Sequence, residues 1–118
     1  MTGHKSIKKA RQLGLLPSAG AQKNKPTEAH IQRQIRDYLQ WHGWFVVKIH
    51  QSLGSYKGIA DLYAIKNGRS VWIEVKTPRG RQSQHQEKFQ RDIEDHGGEY
   101  MVARCVEDVM GLEGDNNG

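Results

Sequence analysis

The sequence predicts an α/β fold, a mixed central β-sheet flanked by helices, and three observations carry that prediction. Ile31, Ile35, Tyr38 and Leu39 recur at helical spacing. Two β-rich runs meet at Asn67-Gly68, the dipeptide of a primed hairpin turn. A second helical pattern, marked by Phe89 and Ile93, is followed by another apolar run from Tyr100. With 118 residues and 36% apolar content, the chain is long enough for one domain with a modest core and too short for two.

The first helix is expected from Glu28 to about His42. Pro26-Thr27 opens it, Thr27 caps its free amides, and Gly43 closes it. Glu28 is favoured in the first turn by the helix dipole, and it stands three residues before Ile31, so it is expected to turn inward. An ordinary first-turn acid is the plainer account of the same residue. Trp44 to Ile49 lacks helical period and reads as the first strand. Gln51 to Gly58, with Gly54 and Ser55 around Tyr56 and Lys57, reads as a loop.

Ile59 to Ile65 is expected as the second strand and Ser70 to Lys76 as its return across Asn67-Gly68. Strand alternation sends Val71, Ile73 and Val75 to one face and Trp72, Glu74 and Lys76 to the other. Antiparallel pairing brings Asp61 to the same end of the ladder as Glu74 and Lys76. A surface ladder of alternating charge is the plain alternative. An Asp entering the partner strand directly behind a glycine-containing loop argues against it.

Beyond Pro78, Arg79-Gly80-Arg81 forms a basic turn, and Ser83 is placed to cap a second helix reaching about His96. Gln86, three residues before Phe89, shares that helix's inward side, where its amide needs a polar partner. Gly97-Gly98 ends the helix, Tyr100 to Arg104 reads as a strand, and Val106 to Met110 starts a short closing helix. The chain therefore divides into a basic, flexible arm over 1–26, a domain over 27–112 and a disordered tail over 113–118.

The formal net charge of +5 is concentrated in the arm. Lys5, Lys8, Lys9, Arg11, Lys23 and Lys25 stand without any acid before residue 28, whereas the remainder carries twelve basic and thirteen acidic residues. Such an arm suits phosphate neutralisation without base reading, and equally suits a solubilising leader. The single Cys105 can form neither an internal disulfide nor a four-ligand zinc site, which fits a reducing, cytoplasmic setting. Leu13 to Leu16, interrupted by Gly14 and closed by Pro17, is too short for a signal core, and nothing reads as a membrane span. Six histidines show no paired ligand spacing, with His50 and His85 the two nearest the acidic cluster in the chain's layout. No glycine-rich phosphate loop is present. Trp41, Trp44 and Trp72 read as core aromatics before they read as base-stacking platforms.

Glu28 on a helix, Gly58-Ile59-Ala60-Asp61, Glu74-Val75-Lys76 and Ser83 to Gln86 appear in the order seen in PD-(D/E)XK nucleases. More narrowly, residues 28 to 110 resemble a small stand-alone VRR-NUC (virus-type replication-repair nuclease) domain of the phage or bacterial type. Ala60 stands where that family usually has proline. The resemblance implies a restriction-endonuclease-like core and a metal-dependent endonuclease for branched DNA, such as four-way (Holliday) junctions or flaps, working as a homodimer. It implies Mg²⁺ or Mn²⁺ held by Asp61, Glu74 and the Val75 carbonyl, with Glu28 in the outer shell or on a second metal. Lys76 would position or deprotonate the attacking water and Gln86 would orient Lys76 or a water. Tyr56, Lys57, Arg79, Arg81 and the arm residues Lys5, Lys8, Lys9 and Arg11 are the candidates for DNA contact. A catalytically silent nucleic-acid-binding module and a restriction-type duplex endonuclease are the alternatives.

Overall fold

A computed structural model describes residues 25–52 and 55–114. The arm residues Lys5, Lys8, Lys9, Arg11 and Lys23, together with Gly54, lie outside the described residues. The order of elements is α1 (Glu28–Trp41), β1 (Phe45–Lys48), β2 (Leu62–Lys66), β3 (Arg69–Val75), α2 (Gln84–Asp95), β4 (Tyr100–Ala103) and α3 (Glu107–Gly114). The sheet runs β1-β2-β3-β4. β1, β2 and β3 pair antiparallel and β4 joins β3 in parallel, so the sheet is mixed, with the hairpin at its centre.

Local chemistry explains the element ends. Thr27 accepts the His30 amide at the head of α1. Asn67 and Gly68 both hold positive φ, 52° and 82°, as a primed two-residue turn requires. Ser83 caps α2 in a reciprocal capping box with Gln86.

The core lies between one face of the sheet and the helices α1 and α3. Ile31, Ile35 and Leu39 of α1 and Val109 and Leu112 of α3 pack in one cluster with Leu62, Ala64, Val71, Ile73, Val75 and Ala103. Trp44 is buried in that cluster, and its indole N–H donates to the Glu113 carboxylate. Among the described residues, no helix is long and apolar enough to cross a membrane.

Several expected boundaries move. The first strand begins at Phe45, because Trp44 is drawn into the core. The second begins at Leu62 rather than Ile59: Gly58 at φ +80° turns the chain so tightly against α2 that a Cβ there would overlap the His85 backbone. Asp61 consequently sits just ahead of the strand. The C-terminal tail does not start at 113, since α3 continues through Gly114 and Glu113 pairs with Lys66 at 3.0 Å.

Candidate active site

Glu74 lies on β3 and points away from the aliphatic core, toward α2. Only 1% of it is exposed, and it is the one buried charged residue among those described. Its Oε2 accepts a hydrogen bond from Gln86 Nε2 at 2.8 Å, with Lys76 Nζ 3.6 Å away. Its Oε1 is buried and has no hydrogen-bond partner among the described residues. Burial pushes the Glu74 carboxyl up to about 8, and the negative charge of Asp61 adds to the rise; Lys76 pulls it down, and Glu28 contributes a further, smaller rise.

Asp61 reaches this cluster from the entry to β2. Leu62 pairs with Ile73, so Asp61 falls beside the Glu74 end of β3, and its Oδ2 accepts the Val75 amide at 2.8 Å. That bond fixes the carboxylate against the strand that carries Glu74. Lys76 follows directly, its amide donating to Ala103 at 3.0 Å and its half-buried side chain lying on the Glu74 face. Gln86 is held from both ends: Oε1 accepts the Ser83 amide at 2.8 Å, and this leaves Nε2 for Glu74. The inward amide expected at Gln86 has thus found its polar partner.

Glu28 departs from expectation. It is exposed at the start of α1 rather than turned inward, and it meets the cluster through its charge at Glu74. Residues 25 to 30 are all exposed, so the first turn of α1 stands clear of the core that begins at Ile31. His50 and His85 are both exposed. Among the described residues, no group of three or more His, Cys, Asp or Glu is arranged to hold a metal ion by side chains alone.

The candidate DNA-contact residues form two groups. Lys57, Arg79 and Arg81 are exposed. Tyr56 is 50% exposed, yet its hydroxyl donates to Asp92 at 2.8 Å and accepts from Lys88 at 3.2 Å. One organising residue is absent from the sequence-based set. Arg104 Nη1 donates to the carbonyls of Thr77 at 2.8 Å and Gly80 at 2.6 Å, with Pro78 at 3.4 Å, and so pins the basic turn after Lys76. An arginine at a strand end carries no local signal of that task.

Two comparisons bear on family and fold. Residues 23–95 match the family model described as archaeal Holliday junction resolvase (Hjc). The chain belongs to the Hjc family. A solved structure described as a VRR_NUC domain shares the fold, with a TM-score of 0.65 and 21% identity over 74% of this chain and 94% of that one. No curated protein matches. Hjc and VRR-NUC proteins both lie in the PD-(D/E)XK nuclease superfamily, so the expected resemblance and the restriction-endonuclease-like α/β architecture stand. Family and fold together point to a structure-selective DNA nuclease.

Proposed function

We propose that this protein is a divalent-metal-dependent endonuclease that cuts four-way DNA junctions, and related branched DNA, as a homodimer. One observation carries the reading. Glu74 is a buried carboxylate with an unpartnered Oε1, set beside Asp61 and within 3.6 Å of a lysine ammonium. Burying a carboxylate against a second acid is costly unless a cation completes the site. The available donors, two carboxylates and a backbone carbonyl, are hard oxygens suited to Mg²⁺ or Mn²⁺.

Asp61, Glu74 and the Val75 carbonyl would hold the ion, with Glu28 in the outer shell or at a second ion. When bound, such an ion polarises the phosphate and lowers the pKa of a coordinated water. Lys76, as an ammonium, positions the attacking water and offsets the charge that grows on the phosphate in an in-line displacement, the water's proton passing to solvent. Gln86 keeps the Glu74 carboxylate in one orientation, its own amide fixed by the helix cap. Lys57, Arg79 and Arg81, with the arm residues Lys5, Lys8, Lys9 and Arg11, supply phosphate contacts that do not read sequence. Two copies related by a two-fold axis would present two sites to the two symmetric strands of a junction.

A labelled immobile four-way junction tests the proposal. With Mg²⁺ or Mn²⁺, paired symmetric nicks are expected, and they should vanish with EDTA and in Asp61→Ala. Equal cutting of plain duplex would sink the selectivity for branched DNA.

A further inference from the structure

An aromatic cleft continues the candidate site along the same face of the sheet. Trp72 lies two residues from Glu74, so strand alternation puts both on one face. Tyr63 is its cross-strand partner, with ring centroids 4.4 Å apart. Phe89, one turn beyond Gln86 on α2, stands edge-on to Trp72 at 5.2 Å, and Tyr56 approaches Phe89 from the loop at 5.6 Å. These rings line an open cleft of about 390 Å³. Beside it is a polar hollow of about 550 Å³ walled by Lys57, Ser83 and Gln86, and Tyr56 borders both. Tyr56 stands between the two spaces, and Gln86, bonded to Glu74, borders the second.

Aromatic residues sealed in a core need no ligand, but these are not sealed. Phe89 is buried and forms the floor, but Tyr56 is 50% exposed, and Tyr63 and Trp72 are only half-buried. The rim is polar: Asp92 lines it, bonded to the Tyr56 hydroxyl and to Lys88, which lies just outside. Flat π-surfaces with donors and acceptors at their edge suit a heteroaromatic ring with polar edges better than an aliphatic chain.

We propose that this cleft takes one unstacked nucleobase of the DNA strand being cut, its adjoining phosphate lying in the polar hollow and leading to Glu74 and Lys76. The inference rests on the nuclease reading above and adds a source of selectivity to it. A base inside a duplex is stacked and unavailable, whereas a branch point releases one at low cost. Stacking accepts any base, since every base has a π-face, so the cleft selects structure without selecting sequence.

The test alters the substrate, leaving the protein's folding untouched. Junctions carrying a single abasic residue, scanned across the nucleotides flanking the mapped cut, should show a drop in kcat/KM on the order of 10- to 100-fold at one position only. In Tyr63→Leu, or in Trp72→Leu if the former is unstable, intact and abasic junctions should be cut at the same reduced rate, because the lost partner is shared. A 2-aminopurine placed at that position should be quenched when Asp61→Asn binds the junction, a readout independent of cutting. Were no junction cut at all, the nuclease reading would fail, and quenching across the branch point would decide the cleft by itself. Equal cutting of all abasic junctions with no quenching overturns the proposal. So does conversion of a dimer to a monomer by Tyr63→Leu, which would make the cleft an interface between copies.

Discussion

The two faces of the sheet are built from the same four strands and solve opposite problems. Toward α1 and α3, the face is aliphatic and closed: Leu62, Ala64, Ile73, Val75 and Ala103 are all fully buried. Toward α2, the same strands present Trp72, Tyr63, Glu74 and Lys76, and Phe45 on the edge strand is 65% exposed. The closed face buries surface that needs no partner, and that burial stabilises the fold. The open face includes a carboxylate with an unmet oxygen and rings with free surface, and it is less stable than an apolar face would be. One face therefore stores the stability that the other gives up for chemistry.

Substitutions on the two faces should separate these roles. The largest effect is expected at Lys76. Lys76→Met should slow junction cutting by at least about 10³-fold, equivalent to ~4 kcal/mol of transition-state stabilisation, while the urea midpoint moves little. A variant that unfolds as readily as it loses activity would erase the contrast. On the closed face, Ile35→Ala should cost about 2–5 kcal/mol in urea unfolding, with the rate of cutting per folded molecule unchanged.

The pH dependence sharpens the comparison further. Glu74 is raised from its ordinary carboxylate value of 4.5 to about 8. Between those values the folded state keeps a proton that the unfolded state has lost, so stability is greatest below about 4.5 and falls as pH rises toward 8. Above 8 the contribution is flat. In EDTA, the melting temperature should decline across this window by the equivalent of a few kcal/mol, on the order of 3. Glu74→Gln should remove the decline, and added Mg²⁺ should reduce it in the wild-type protein. Parallel melting curves for the two proteins would show that Glu74 is not the group responsible. The smallest effect belongs to Ser83→Ala, which should cost about 1 kcal/mol of stability and leave kcat and KM near their original values, because the Ser83 backbone amide that holds Gln86 Oε1 remains.

What the sequence displayed was governed by locality. The hairpin at Asn67-Gly68, the Ser83 cap and the inward side of Gln86 each depend on neighbours within four residues, and each appears where expected. The meeting of Asp61 with Glu74 was also legible, because a two-residue turn fixes the register of both strands. Long-range contacts were not. The delayed start of β2 depends on Gly58 meeting His85, and the extension of α3 depends on Glu113 reaching Trp44 and Lys66. The exposed position of Glu28 likewise depends on what its helix packs against, and a first-turn acid three residues from a core isoleucine does not reveal that. Arg104 is the extreme case, since its three carbonyl partners lie 24 to 27 residues earlier in the chain.

That arginine also ties two tasks into one mechanical unit. It fastens the turn bearing Arg79 and Arg81 to the end of β4, and Gly80 in that turn lies against the aliphatic stem of Lys76. On the function proposed above, a strand gripped at the turn would meet the lysine at a set height, as work held in a jig meets the tool. Rebuilding the turn would then move the cutting point with it, and affinity and alignment would change together.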